Sequence, residues 1–402
     1  MLSFVQSWFS QSANPIGIDF GSDALRMAQV ENVGGECKLV AAARADVPTH
    51  LRNDPAGRLA FFTESVRELW SQGNFRGRRA ILSLPASVMT IQHLRLPKMD
   101  EEALKKSLAW ECRGKLPYDP THALLRHLIA GDVFADGEQK HEVIVMAAQR
   151  EWVNQFLAAA AKARLDVVAM NVEAKAMIDC FARVYRRKSD HEAVNLYVDI
   201  GSSATRAMVA QDQQILFARS IPVGGEHFTR AVAKQLEMSV EDARILRSKI
   251  CHAQALAEMN RISASQPPAE AGANADEQTD VEAVDAAQVQ RVEAAYEEPL
   301  QTLVHELSLC RRYHESTFTK QPVTRLIFVG GEARHRGLCQ RIAQSLDLAA
   351  QIGDPMARMA RTTEVGPESG IDRRLPQPDW SVALGLTMGP QNVPAAATAA
   401  SK

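Results

Sequence analysis

Gly17-Ile18-Asp19-Phe20-Gly21-Ser22 and Val198-Asp199-Ile200-Gly201-Ser202-Ser203 are near copies of each other, and they divide the 402-residue chain into two related halves. In each copy an apolar strand delivers an Asp at its end, a Gly and a hydroxyl residue turn the chain, and a second strand starts at once (residues 25–30 and 206–210). Gly lets the backbone approach an anion and aim N–H groups at it, and an Asp at a strand end can hold a hydrated Mg²⁺. One such string is a common tight turn. Two of them, facing each other, make a clasp for a nucleotide. A third element belongs with them: residues 324–329 read as a buried strand running into Gly330-Gly331, where missing side chains leave room for a ligand or another backbone.

Length and composition bound the rest. At ~150 residues per domain the chain holds two or three domains, each large enough for its own core. A formal charge of −2 gives no basic footprint for nucleic acid, so none is expected as a partner. The six cysteines show neither C-x-x-C pairing nor metal-ligand spacing and read as reduced thiols. No stretch approaches the ~18 consecutive apolar residues of a membrane span, and the start lacks a signal peptide's cationic region, so a cytoplasmic protein is expected. Leu2, Phe4, Val5, Trp8 and Phe9 make an apolar stripe in an amphipathic segment over 1–14. Its lack of Lys and Arg favours docking on protein over anionic lipid.

Along the chain, strands are expected at 15–20, 25–31, 37–45 and 79–84 with a helix at 56–72, and the order repeats at 195–200, 204–210, 215–221 and 324–329 with a helix at 226–236. Each half is thus a five-stranded sheet covered by helices. The first half occupies 15–88 and closes with 166–190; the second occupies 191–388. An inserted α+β module at 89–165 reads strand, helix, strand, strand, helix, its first helix opening on Asp100-Glu101-Glu102 where the helix dipole favours carboxylates. Residues 262–290 form an acidic, Ala/Gln/Ser-rich insertion and 389–402 a Pro/Ala-rich tail, both expected to be disordered.

The two Asp-x-Gly-Ser hairpins, the later Val-Gly-Gly strand end and the inserted module resemble the actin/DnaK-type ATPase superfamily and, within it, the FtsA-like branch that includes the PilM family of type IV pilus assembly. Further marks are Leu96-Pro97-Lys98-Met99 before the acidic helix, Trp110-Glu111 with Leu116-Pro117-Tyr118, Ile221-Pro222-Val223-Gly224-Gly225 and Ile352-Gly353-Asp354-Pro355. The resemblance implies an α/β fold of two ribonuclease-H-like (actin-type ATPase) halves flanking a nucleotide cleft, with an SHS2-like module in the first half. It also implies ATP and Mg²⁺ as cofactors. Asp19 would organise the metal through water, and Gly21, Ser22, Gly201, Ser202 and Ser203 would bind phosphates. Asp199 would sit near the γ-phosphate, Glu173 would orient water or cap its helix, and Gly224, Gly225, Arg247, Gly330 and Gly331 would complete the nucleotide site. The implied partner is the N-terminal cytoplasmic peptide of a PilN-like inner-membrane protein, which would link the chain to the pilus motor and alignment complex and, indirectly, to the membrane. For that peptide the apolar positions at 94–96 and 104–110 suggest the groove between the inserted module and the first half, where an extended chain could lie, and core packing accounts for the same pattern equally well.

Four residues depart from the family pattern: Glu332 follows the glycine pair, Arg244 and Arg247 stand where relatives often carry Glu and Lys, and Asp23 replaces a small hydroxyl residue. They leave three functions open. The first is a nucleotide-responsive scaffold, at most a weak ATPase. The second is a degenerate adapter of a pilus or type II secretion platform that binds no nucleotide. The third is an ATP-dependent small-molecule kinase of the same superfamily. A cell-division role like that of FtsA is further off, because the tail carries no amphipathic membrane helix.

Overall fold

The computed structural model describes residues 13–33, 36–52, 54–264, 285–360, 365–366 and 369–389. The N-terminal stripe, most of the acidic insertion and the Pro/Ala-rich tail lie outside these residues. At the borders of the insertion, 262–264 and 286–290 belong to helices, which extend further than composition alone suggested.

The first half is built from β1 (Ile16–Phe20), β2 (Ala24–Val33), β3 (Glu36–Asp46), α1 (Pro55–Gln72) and β4 (Arg79–Leu84). The inserted segment follows as β5 (Met89–Pro97), α2 (Glu101–Glu111), β6 (Ala123–Ala135), β7 (Glu138–Gln149) and α3 (Arg150–Lys162). After β8 (Asp166–Val172), the crossing helix α4 (Glu173–Val184) and short α5 (Lys188–Glu192), the second half runs β9 (Val194–Ile200), β10 (Thr205–Gln211), β11 (Gln214–Ile221) and α6 (Gly225–Gln235). It continues with α7 (Val240–Ala264), α8 (Ala286–Ala295), α9 (Glu297–Thr317), β12 (Arg325–Val329), α10 (Arg336–Leu346), β13 (Ala350–Ile352) and α11 (Ser381–Met388).

The two large sheets have the same topology, β3-β2-β1-β4-β8 and β11-β10-β9-β12-β13. In each, the central strand pairs antiparallel with the next strand and parallel with the later one. The expected five-stranded halves are therefore present. The fifth strand of the second sheet is only three residues long, too short for a hydrophobic period to announce it.

Strand alternation explains why the aspartates emerge where they do. Along β1, Ile16, Ile18 and Phe20 enter the core beneath α1 and α3, so Gly17 and Asp19 share the opposite face. Leu196, Val198 and Ile200 repeat this in β9 and put Asp199 on the corresponding face. The first core closes on three rings, with Phe20–Phe62 centroids at 5.2 Å and Phe62–Phe156 at 4.8 Å. Phe156 belongs to α3, so that helix packs in the first half's core although its sequence position falls in the inserted segment. The remaining β5-β7-β6 sheet and α2 form a small core of their own around Leu94, Leu96, Leu104 and Leu108.

Two helices cross between the halves. α4 carries Met177, Ile178 and Phe181 onto the second sheet, and α11 returns the chain to the first sheet, where Ala383 and Leu384 meet Ala28 and Val30. The crossing is close because it is made of small residues: a methyl group added at Gly385 would lie 1.8 Å from the Ala176 carbonyl oxygen, and one at Gly17 would lie 2.0 Å from that of Ala383.

The inserted sheet also leans on the second half. Ile144 and Met146 pack with Ile215 and Ala218, and the buried Glu142 carboxylate accepts from Tyr313 Oη (2.6 Å) and Arg95 Nε (3.2 Å) and pairs with His93 Nδ1 (3.1 Å). Burial alone would raise the Glu142 pKa, but the bonds from His93 and Tyr313 outweigh it and hold the group below its ordinary value.

Candidate functional site

Between the halves lies a cleft of about 480 Å³. Both hairpins, the Gly330-Gly331 turn, the start of α4 and the facing sides of α6 and α7 line it. Of the residues that the resemblance implies for the nucleotide site, all but Gly224 reach this cleft.

The hairpins confront one another across it, with Ser22 Oγ and Ser203 Oγ 2.7 Å apart. The amides of Gly21 and Gly201 close their own turns, onto the carbonyls of Ala24 and Ala204 (both 3.0 Å). The amides that follow them, of Ser22, Asp23, Ser202 and Ser203, make no hydrogen bond among the described residues and stand available to an anion. Arg58 from α1 braces the first hairpin through the carbonyls of Gly21 (2.8 Å) and Ser22 (3.1 Å). The start of α6 braces the second, Gly225 N donating to Gly201 O (2.9 Å) and Glu226 N to Ser202 O (2.8 Å). Gly225 therefore spends its amide on the hairpin, while the Gly224 N–H donates to His227 Nδ1 (3.1 Å). A Cβ at Gly224 would lie 2.6 Å from Gly201 O, which is why the chain needs glycine there.

Gly330 adopts φ 83°, and a Cβ there would meet Asp199 Oδ1 at 2.4 Å. Gly331 faces open space. Next to it, Glu332 is not a loose charge in the cleft: it forms an ion pair with Arg247. Arg247 also bonds Tyr296 Oη (3.0 Å), Gly225 O (3.0 Å) and Thr229 Oγ1 (2.8 Å), so its donors are committed to structure. Burial would raise the Glu332 pKa, and Arg247 reverses the sign and lowers it. Arg244 reaches Thr49 Oγ1 (3.0 Å), and Arg52 pairs with Glu226 (2.8 Å), two further contacts from one half to the other.

The three candidate catalytic carboxylates converge on a residue that the sequence reading passed over. Asp199 is gripped by Arg206 through Nε (2.8 Å) and Nη2 (2.5 Å), and Arg206 Nη1 pairs with Glu173. One guanidinium shared by two acids leaves Glu173 short of charge balance. Burial pushes its pKa up to about 8, Arg206 opposing and Asp19 and Asp199 adding to the rise. Asp19 accepts from Ser83 Oγ (3.0 Å), and burial raises its pKa against the pull of Arg26 and Arg206. Arg26 occupies the equivalent position in the first hairpin, facing Asp19 in the strand register as Arg206 faces Asp199. It turns instead to Asp379, which also receives Arg44 (3.5 Å) and Arg334 (2.7 Å). Burial works against the Asp379 charge, yet these guanidiniums hold its carboxyl well below the usual range.

A signal for the two arginines was present. The repeat is longer than Asp-x-Gly-Ser and reads Asp-x-Gly-Ser-x-Ala-x-Arg in both halves. Asp379 had no such signal, since it arrives from the far end of the chain.

These side chains do not fit the hydrated Mg²⁺ expected beside Asp19. Asp199 Oδ2 and Glu173 Oε2 are held by Arg206, Asp19 Oδ1 is bonded to Ser83, and no group of three His, Cys, Asp or Glu side chains among the described residues is placed to hold a metal ion.

Two repeated sheets, two opposed hairpins and two crossing helices define the actin-like ATPase class of fold. A family model described as "Type IV pilus assembly protein PilM" matches residues 17–257, and the chain belongs to that family. A second model, for cell division protein FtsA, matches residues 196–385. Cell division protein FtsA of Rhizobium meliloti (strain 1021) is 26% identical over 196 residues, 48% of this chain and 40% of that protein, and FtsA of Agrobacterium fabrum aligns to the same extent. The chain thus spans less than half the length of these curated relatives. Among solved structures, a PilM–PilN type IV pilus biogenesis complex superposes with TM-score 0.69 and 21% identity, covering 93% of this chain and 98% of the other. The ethanolamine utilization protein EutJ of Carboxydothermus hydrogenoformans gives TM-score 0.50 and 13% identity, covering 94% and 89%. Both show the shared fold. No helix among the described residues is long and apolar enough to cross a membrane.

Proposed function

We propose that this chain is the nucleotide-responsive cytoplasmic scaffold of a type IV pilus, in which ATP bound between the hairpins sets the affinity for the N-terminal peptide of a PilN-like inner-membrane protein. The observation that carries the reading is the pair of opposed hairpins, 2.7 Å apart at Ser22 and Ser203, each presenting unspent amides to one cleft. The serine hydroxyls and the Ser22, Asp23, Ser202 and Ser203 amides hold the phosphates, Gly21 and Gly201 shape the turns, and the open space beside Gly331 takes the adenosine. ATP supplies a polyanion that both halves grip at once, which fixes their relative orientation.

The inserted module grows from the first half yet rests on the second through Glu142 and Tyr313, so a change in orientation alters its seat. This gives nucleotide and peptide a common element to act on. Asp199 and Glu173, tied to Arg206, are poorly free to orient a water, which supports binding over phosphoryl transfer and disfavours the kinase reading. Membership of the pilus family and the PilM–PilN complex of a relative support the partner, and through it the membrane and the pilus motor and alignment complex. For the peptide surface, the leucines of the groove at 94–96 and 104–110 are disfavoured, since Leu94, Leu96, Leu104 and Leu108 are buried in the module's core, whereas Trp110 is exposed and stays open to a partner.

A non-nucleotide adapter is the second reading, favoured by the many cleft charges already paired with each other. Fluorescence anisotropy of a labelled N-terminal peptide from the PilN-type partner, with and without ATP, separates the two. The scaffold gives affinities that differ by at least about five-fold. Tight binding of equal strength in both conditions makes the protein an adapter.

A further inference from the structure

The Arg206 guanidinium sits at the end of the second hairpin against two buried carboxylates, and Asp19 also borders the cleft there. We propose that Arg206 takes the place of the divalent cation, so that this cleft binds a nucleoside triphosphate without metal. The inference rests on the nucleotide reading above and specifies how the phosphate charge is met.

Three observations lead to it. First, each of the three carboxylates has an oxygen already committed, Asp199 Oδ2 and Glu173 Oε2 to Arg206 and Asp19 Oδ1 to Ser83, and no three His, Cys, Asp or Glu side chains among the described residues are grouped to hold a divalent cation, which needs several oxygen donors at once. Second, a fixed guanidinium beside a divalent ion adds repulsion where an attraction would be required, in a buried setting that screens it weakly. Arg206 is held there by its strand, opposite Asp199 in the register, and cannot be displaced without exposing two buried carboxylates.

Third, the lining of the cleft carries further guanidiniums. Arg26, Arg44 and Arg334 share the single carboxylate of Asp379, with Arg44 also touching Asp46 at 2.7 Å. Asp379 and Asp46 pair with these three guanidiniums, and Asp23 and Asp19 act on Arg26, so each arginine is held in place at the cavity lining. Guanidinium groups bind phosphate oxygens in a planar, paired geometry, which suits them to a polyphosphate stripped of metal. A kinase or an ordinary ATPase uses the metal to draw charge off the transferred phosphoryl group, and a site that dispenses with it is a site for holding nucleotide.

Calorimetric titration of ATP into the full chain in excess EDTA and in excess Mg²⁺ tests this. The expected result is saturable binding in both, with the dissociation constant in EDTA no more than about three-fold weaker. Arg206→Gln, checked for folding by thermal melting, should weaken metal-free binding by roughly ten-fold or more. Arg206→Lys keeps the charge and serves if the Gln variant does not fold; it should keep metal-free binding but lose affinity with the paired geometry. Binding seen with Mg²⁺ alone overturns the inference and leaves the scaffold reading standing. No binding in either condition, from folded protein, removes that reading and the inference with it.

Discussion

Ser22 and Ser203 lie 181 residues apart in the chain, and their hydroxyl oxygens lie 2.7 Å apart across the cleft. Each belongs to a hairpin fixed to its own half, so this contact measures directly how closely the halves approach. Converting both to cysteine should place the two sulfur atoms within bonding range. The double variant is expected to form an intramolecular disulfide on mild oxidation, seen as a mobility shift on a non-reducing gel. The oxidised form should bind no ATP, and reduction should restore binding. ATP binding at full affinity by the crosslinked protein would place the phosphates elsewhere.

The two crossing helices make the sign of a glycine substitution predictable. In an isolated helix Gly→Ala stabilises by about 1 kcal/mol. At Gly385 the added methyl would sit 1.8 Å from the Ala176 carbonyl oxygen, so Gly385→Ala should instead destabilise by about 1–3 kcal/mol. Gly331→Ala meets nothing within 4 Å and should leave stability within about 0.5 kcal/mol of wild type while weakening nucleotide binding. Urea unfolding midpoints read both. A neutral Gly385→Ala would mean that the crossing is looser than described.

Tyr313→Phe removes the shortest hydrogen bond to Glu142 and leaves a buried carboxylate less well satisfied. A loss of about 1–3 kcal/mol is expected, measured by denaturant unfolding. Because the Glu142 pKa is held below its ordinary 4.5, its contribution is present above that value and fades as the pH falls below it. The wild-type advantage over Tyr313→Phe should therefore shrink in acid. An advantage that is flat from neutral pH down to acid would remove Glu142 from this role.

Glu173 works with the opposite sign. Its pKa is raised in the folded protein from 4.5 to about 8, so the favourable contribution is complete below 4.5 and is lost as the pH rises towards 8. Glu173→Gln, which keeps a partner for Arg206 but carries no charge, should flatten that decline in melting temperature between mildly acidic and mildly alkaline pH. Parallel pH profiles for the variant and the wild type would show that Glu173 is ionised throughout.

Much of this was readable before any coordinates. The duplicated hairpin fixed the two halves because its period-2 alternation puts Ile16, Ile18 and Phe20 on one face and Asp19 on the other, a pattern local to a few residues. What stayed hidden depends on distance along the chain. Asp379 joins the cleft only because α11 crosses back to the first half, and the helical period of α3 cannot reveal that Phe156 fills the core beneath β1. Glu332 looked like an obstacle to a nucleotide until Arg247, from another helix, was found paired with it. Arg206 was legible and overlooked: the repeat extended as far as the arginine in both halves.

The central claim is that the cleft holds a nucleotide between the two hairpins. Titrating ATP into the purified full chain, beside a Ser22→Ala/Ser203→Ala variant of unchanged melting temperature, addresses it most directly. One saturable site in the wild type, weakened by roughly ten-fold or more in the variant, is the expected outcome. Binding of equal strength in the two proteins, or no heat from folded wild type at millimolar ATP, would leave the hairpins without the role assigned to them.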